Sequence, residues 1–166
     1  MSDFASRRAF LRGRPGSVKA ALRPPWATTE SRFLATCTRC GDCRGVCPGG
    51  VIRLPGGVGS PEVDFSAGEC TFCGACVEAC RPGALQRQPG ESPWSAKAVI
   101  GDQCLARRRV ECRICADQCE ARAISFLLQA GTVAAPRAHP AHCTGCGACV
   151  APCPANAIAV LSDAQR

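Results

Sequence analysis

Cysteines are the residues of this sequence that could do chemistry, because sixteen of them occur in four tight runs. The most regular run spans residues 143–154 and has the pattern C-x2-C-x2-C-x3-C-P. Four thiols so close together in the chain are unsuited to disulfide staples. The spacing is typical of a bacterial [4Fe–4S] site, in which a loop wraps around a compact cluster. Gly145 and Gly147 would let this backbone approach inorganic sulfide without a Cβ in the way.

The same run recurs along the chain, with first cysteines separated by 33, 34 and 39 residues. Such a period indicates an internal repeat. We number the runs one to four in chain order. They are Cys37, Cys40, Cys43 and Cys47; Cys70, Cys73, Cys76 and Cys80; Cys104, Cys112, Cys115 and Cys119; and Cys143, Cys146, Cys149 and Cys153. Runs one, two and four have the full cysteine spacing, so we predict three [4Fe–4S] clusters from them.

Run three departs from the pattern and reads C-x7-C-x2-C-x3-C. Its longer first loop carries arginines at positions 107–109, and Glu120 stands where the regular motif has Pro. Four thiols remain, so a fourth [4Fe–4S] cluster is predicted, with a looser cluster or a different metal as the alternative. Structural zinc usually joins two Cys pairs across a longer span, so a cluster is favoured for every run.

The runs are predicted to exchange their fourth cysteines. In two-cluster ferredoxins the fourth Cys of one run binds the cluster of the other run. Sequential pairing of runs one with two and three with four gives four sites, which we number by their first cysteine. They are Cys37, Cys40, Cys43 and Cys80; Cys70, Cys73, Cys76 and Cys47; Cys104, Cys112, Cys115 and Cys153; and Cys143, Cys146, Cys149 and Cys119. A nested pairing of run one with four and two with three stays open, because the gaps between runs are similar.

The segments between the runs indicate the fold class. Val51–Phe65 and Ala123–Pro136 each read as strand, turn, strand, and Ala84-Leu85 and Ala157-Ile158 are further short strand signals. A polar linker covers residues 88–93. The pattern predicts an α+β fold of two tandem bacterial-type 2[4Fe–4S] ferredoxin units, with short helices and small antiparallel hairpins.

The predicted domains are a basic N-terminal arm (1–36), a first ferredoxin-like unit (37–88) and a second (94–166). Most of the net charge of +7 lies in the arm, and cluster-bound thiolates would bring the rest of the chain near neutrality. A nucleic-acid partner is therefore not expected. No run of 18 apolar residues could span a membrane. Clustered thiols fit the reducing cytoplasm, and no nucleophile–base pair indicates an enzyme.

The arm holds the candidate residues for partner docking. Ser6–Arg12 has the form of a twin-arginine export motif, but no apolar h-region follows it. Export is therefore not expected, and Arg7 and Arg8 are better interpreted as a docking element or part of a basic helix around residues 10–22. Trp26 follows two prolines and is interpreted as a packing anchor, with partner docking as a second role.

Several stretches together resemble the NapF family of ferredoxin-type proteins. They are Ser6–Arg8, Arg23–Trp26, Cys37–Cys40, Glu69–Cys73, Ile100–Ala106 and Glu111–Cys115. The resemblance implies a cytoplasmic iron–sulfur protein of a periplasmic nitrate reductase system. It implies that the partner is the molybdenum-containing catalytic subunit before export, and that the role is to mature this subunit by supplying electrons or helping its cluster form. The alternatives are a polyferredoxin subunit that serves other redox proteins in a membrane-associated complex, and a cluster donor.

Overall fold

Short helices and two-stranded antiparallel sheets make up the computed structural model, which describes residues 21–128 and 131–163. The helices are α1 (Glu30–Thr36), α2 (Asp42–Gly45), α3 (Ala75–Glu78) and α4 (Ile114–Asp117). The strands are β1 (Ile52–Arg53), β2 (Glu62–Val63), β3 (Lys97–Ile100), β4 (Ile124–Leu127), β5 (Ala135–Ala138) and β6 (Ile158–Leu161). A 3₁₀ turn, Pro55–Gly57, lies between β1 and β2. This architecture confirms the predicted α+β class of tandem ferredoxin units.

Helices α2 and α3 each begin where a cysteine loop ends. Their N-caps are Gly41 and Gly74, with φ of 84° and 85°. Glycine adopts this left-handed conformation without steric cost, so the chain turns sharply from the loop into the helix. Helix α4 follows Arg113 instead, whose φ of −132° needs no glycine. All three helices bury the third cysteine of their run.

The two predicted hairpins are present. Strand β1 pairs with β2 in the register Ile52↔Val63, and β4 pairs with β5 in the register Ile124↔Ala138. Residues 129–130, in the predicted turn of the second hairpin, lie outside the described residues. Each hairpin follows one cysteine run and returns the chain to the next run, so that the two runs lie beside each other.

Two further segments differ from the sequence prediction. Ala84-Leu85 forms no regular strand and makes a single antiparallel bridge between Leu85 and Ala27, because only this short stretch of the arm runs beside it. Strand β3 was not predicted, and it pairs with β6 from Lys97↔Leu161 to Ile100↔Ile158. This pairing closes the second unit by joining its beginning to its end.

The apolar core extends across both predicted units. One cluster of buried residues joins Phe33 of the arm and Val51 and Phe65 of the first unit to Ala96 and Val160 of the second. A smaller cluster in the second unit is formed mainly by buried residues of β3, β4 and β6 with cysteines of runs three and four. The domain limits 37–88 and 94–166 stay a prediction, and the structure adds that the two units share packing.

The arm packs on the first unit from residue 21 onward. Pro24, Pro25 and Trp26 are buried, and the Arg23 guanidinium is 2.7 Å from the Glu30 carboxylate. Arg23 Nη1 also donates to the carbonyl of Pro61 at 3.1 Å. Arg7, Arg8 and most of the predicted helix lie outside the described residues. Within the described ranges, no helix is long and apolar enough to cross a membrane.

At Gly147 the backbone of the second unit lies directly against a side chain of the first unit. The φ of Gly147 is 84°, and a Cβ at this position would overlap the ring of buried Phe65. Gly90 makes a matched control, because its φ is 77° and open space surrounds it. The two glycines therefore share the conformational demand. They differ in the space available to a side chain and in position, because Gly147 lies in a ligand loop and Gly90 in the linker.

We predict that Gly147→Ala destabilises the protein more than Gly90→Ala does. Left-handed strain costs about 1 kcal/mol in each variant, and overpacking adds about 1–3 kcal/mol at Gly147. The melting temperature of the cluster-loaded protein, followed anaerobically by circular dichroism, should fall by about 4–16 °C for Gly147→Ala and about 2–4 °C for Gly90→Ala. Equal shifts would contradict the close contact with Phe65.

Candidate metal centre

Site 1 is a recess lined by thiols of the first two runs. Cys37, Cys40 and Cys43 of run one lie around it, and Cys80 of run two completes the set. The apolar wall includes Phe33, which is 1% exposed. The structure thus places three thiols from one loop and a fourth from the partner run in one cradle.

Site 2 repeats this arrangement with the runs exchanged. Cys70, Cys73 and Cys76 line a recess together with Cys47, the fourth cysteine of run one. Trp26 and Phe72 belong to the same wall, so the arm and the ligand loop both shield this site. The structure agrees with a packing role for Trp26, which is 5% exposed and offers little surface for docking.

Sites 3 and 4 are formed by the second pair of runs. Site 4 is a recess lined by the first three cysteines of run four and by Cys119 of run three. At site 3, Cys104, Cys112 and Cys153 lie near Cys115. Burial and, to a smaller extent, these three thiols raise the pKa of Cys115 to about 11. Irregular run three thus presents the same kind of four-thiol set as the regular runs.

The structure brings together the four sets that sequential pairing predicts. It places run one beside run two and run three beside run four, and the nested alternative would need other neighbours. All sixteen cysteines lie in the described ranges, and none of them forms a disulfide. Their assignment as cluster ligands stays a prediction, which this geometry supports.

Burial makes the innermost thiols poor acids. It raises the pKa of Cys43 and Cys70 to about 11, and that of Cys76 and Cys149 to about 12, with neighbouring thiols adding to the rise in each case. These side chains therefore hold their protons at neutral pH when nothing positive is nearby. A group that carries iron would displace the protons, since bound thiols are deprotonated.

Backbone N–H groups point at several of the sulfurs. Leu85 donates to Cys80 Sγ at 3.4 Å and Ala98 donates to Cys143 Sγ at 3.3 Å. The fourth cysteines of runs three and four each accept from the residue four positions later, Ala123 at 3.2 Å and Ala157 at 3.3 Å. These donors would stabilise negative charge on a thiolate and on a cluster attached to it.

The donor set fits an iron–sulfur cluster better than a single ion. A structural zinc ion gathers four ligands around one point, with Zn–S distances of about 2.3 Å. Among the described residues, no three Cys, His, Asp or Glu side chains converge on one point in that way. In a cluster each thiolate binds its own iron, so four thiols spread around a recess match that geometry.

Trp26 provides a second observation that fits a sulfur-rich group at site 2. Its indole Nε1 is buried and, within the described residues, has no hydrogen-bond partner. A buried donor left unpaired costs about 1–3 kcal/mol, so an acceptor is expected nearby. Trp26 lines the recess of site 2, where a bound cluster would bring sulfide acceptors.

Some residues of the sites were not identified from the sequence. Lys97 Nζ donates to the carbonyl of Cys143 at 2.6 Å, and the N–H of Ala98 reaches the sulfur of the same residue. Both come from β3, which the sequence pattern did not reveal. The sequence could have identified Ala123 and Ala157 as N–H donors to sulfur, because each stands four residues after the last cysteine of its run.

Comparison with protein families supports the interpretation of both halves. Models described as "4Fe-4S dicluster domain" match residues 26–85 and 108–157. The ferredoxin-type protein NapF of Escherichia coli K12 is 43% identical over 158 residues, which cover 95% of each chain. The chain belongs to the NapF family of ferredoxin-type proteins. It therefore binds multiple [4Fe–4S] clusters.

Other relatives extend the comparison. NapF of Haemophilus influenzae is 46% identical over 170 residues, with 96% of this chain and 95% of the relative covered. The methylamine utilization ferredoxin-type protein MauM of Methylorubrum extorquens is 32% identical over 87% of this chain and 73% of its own. These relatives are named as ferredoxin-type proteins, which agrees with iron–sulfur binding and electron transfer.

Iron counts in paired variants should reveal which cysteines share a site. Cys40→Ala and Cys80→Ala should each remove one cluster, about four irons per chain, and the double variant should lose the same four. Cys40→Ala combined with Cys47→Ala should lose about eight, because these cysteines belong to different sites. Iron and sulfide analysis after anaerobic purification provides the measurement. If Cys40 and Cys47 are the non-additive pair, each run holds its own cluster and the exchange is refuted.

Trp26→Phe should change the reduction potential of one cluster while leaving the iron content unchanged. The variant keeps an aromatic ring in the wall and removes the N–H donor, which would favour the more negative, reduced cluster. A net hydrogen bond of about 0.5–1.5 kcal/mol corresponds to about 20–65 mV for one electron, so we expect a shift of that size to lower potential. An EPR-monitored redox titration measures it, and an unchanged potential would show that the indole N–H does not reach the cluster.

Proposed function

We propose that this protein is a cytoplasmic electron-transfer and accessory protein that helps mature the catalytic subunit of a periplasmic nitrate reductase. Its partner is the molybdenum-containing subunit before export. The observation that carries the proposal is the match to ferredoxin-type NapF proteins over nearly the whole chain, at 43% and 46% identity. The protein carries electrons and is not an enzyme with a substrate of its own.

The side chains around the sites suit the proposed role. Bound [4Fe–4S] clusters accept and release single electrons, with potentials that the protein sets through hydrogen bonds, charge and exposure. Phe33 lines site 1 and Trp26 lines site 2, and backbone N–H groups face four of the sulfurs. Cys40 and Cys73 are exposed, so each of these sites also reaches the protein surface.

A pull-down tests the partnership. The tagged full-length protein, purified anaerobically from cytosol that contains the nitrate reductase catalytic subunit, should recover that subunit. Arg7→Ala with Arg8→Ala should reduce the recovery, because these residues are the predicted docking element. Arg12→Ala with Arg14→Ala is the matched control, since it removes the same charge from the same arm. If the catalytic subunit is never recovered with cluster-loaded protein, the proposed partnership is wrong.

Labelled iron separates the two forms of assistance. The protein loaded with ⁵⁵Fe is mixed with catalytic subunit that lacks its own cluster, with or without a reductant. Electron supply predicts that the label stays on this protein and that the effect on the subunit depends on the reductant. Transfer of the label without any reductant would favour cluster donation instead.

A further inference from the structure

The two predicted units meet directly at their cysteine loops. The backbone N–H of Cys70 donates to the carbonyl of Cys146 at 2.8 Å. Cys70 belongs to site 2 and Cys146 belongs to site 4, and 76 residues of chain separate them. A backbone hydrogen bond between two ligand positions fixes the distance between the two loops more closely than contacts of flexible side chains would.

Trp94 touches the ligand loops of both sites. Its indole N–H donates to the carbonyl of Thr144 at 3.0 Å, within the loop of site 4. Its ring meets Phe72, in the loop of site 2, edge to face with centroids 5.7 Å apart. It also meets Phe65 edge to face at 6.1 Å. Such aromatic pairs contribute beyond the area that they bury, so Trp94 joins the two loops on one rigid ring.

Glycines in run four allow this close approach. A Cβ on Gly145 would overlap the carbonyl of Ala96 and lie 2.7 Å from Trp94 Nε1. A Cβ on Gly147 would likewise overlap the ring of Phe65. The loop of site 4 is therefore shaped to lie against Trp94 and the first unit as well as around its own recess.

Within each unit the two sites are also neighbours. Helices α2 and α3, which carry Cys43 and Cys76, pack against each other. In the second unit, Cys115 and Cys149 are buried in the same apolar cluster. Site 1 therefore adjoins site 2, and site 3 adjoins site 4.

We propose that the four sites form one continuous row in the order 1, 2, 4, 3, with Trp94 as the positioning residue at the central junction. The units then act as one redox body and not as two independent ferredoxins joined by a linker. The irregular site of run three lies at one end of the row, and site 1 lies at the other. The significance of the row for electron transfer rests on the proposed function, whereas the arrangement itself can be tested on the isolated protein.

Magnetic coupling between the two inner sites provides the test. Cys40→Ala with Cys112→Ala, in the full-length protein, is designed to empty sites 1 and 3 and should halve the iron content. Any spin–spin broadening in the EPR spectrum of the fully reduced variant then comes from sites 2 and 4. We expect this broadening to be present, to persist in Trp94→Phe and to weaken in Trp94→Ala at equal iron content, because the Cys70–Cys146 hydrogen bond then holds the two loops without the ring between them.

Two results would overturn the proposal. Independent, unbroadened signals from the half-loaded protein would show that sites 2 and 4 are not adjacent. Unchanged broadening in Trp94→Ala would remove the positioning role from Trp94. Neither readout needs a partner protein, so the outcome of the nitrate reductase pull-down does not affect them.

A second measurement covers the case in which the half-loaded variant does not fold. A protease site inserted between Gly90 and Glu91 allows the fully loaded, otherwise wild-type chain to be cut after purification. The two fragments should still co-elute in anaerobic gel filtration, and Trp94→Ala should increase their separation. Complete separation of the otherwise wild-type fragments would contradict a single body.

Discussion

Three thiols of one run lie beside the fourth thiol of another run throughout the structure, and the packing of each unit follows from this arrangement. A four-thiol set is complete in it only when the two runs of a pair pack side by side. Helices α2 and α3 do so in the first unit, with Cys43 and Cys76 buried on them. The hairpin β1–β2 provides the return path that this crossing requires. We therefore expect cofactor binding and folding to be coupled, as in other small metal-binding domains.

The few large aromatic side chains are concentrated where this arrangement needs them. Phe33 closes site 1, and Trp26 and Phe72 line site 2. Phe65 and Trp94 fill the junction between the units. A chain with only 5% aromatic residues has little material for an ordinary core, so buried thiols and these rings share that role. The same side chains thus stabilise the fold and control the surroundings of the sites.

Local spacing explains how much the sequence could predict. The four cysteine runs and both hairpins follow from short-range patterns, in which ligands, glycines and turns lie within a few residues of one another. The pairing of the runs does not, because the similar gaps between them leave sequential and nested pairing open. Strand β3 escaped prediction because Lys97–Ile100 pairs with β6, which lies about 60 residues further along the chain. The contacts of Trp94 with Phe65 and Thr144 depend on the packing of two distant segments, which no local pattern encodes. The assignment of run three as a ligand set stays a prediction. Its long loop has no glycine, and Arg109 adopts the left-handed conformation there with a φ of 66°.

We expect all four sets of thiols to hold [4Fe–4S] clusters within one body. Native mass spectrometry of the anaerobically purified full-length protein, combined with iron and sulfide analysis, provides the decisive test. It should find one species that carries about sixteen irons and sixteen sulfides, four of each per cluster. A species that holds zinc without sulfide, or one in which every molecule lacks the fourth cluster, would contradict it.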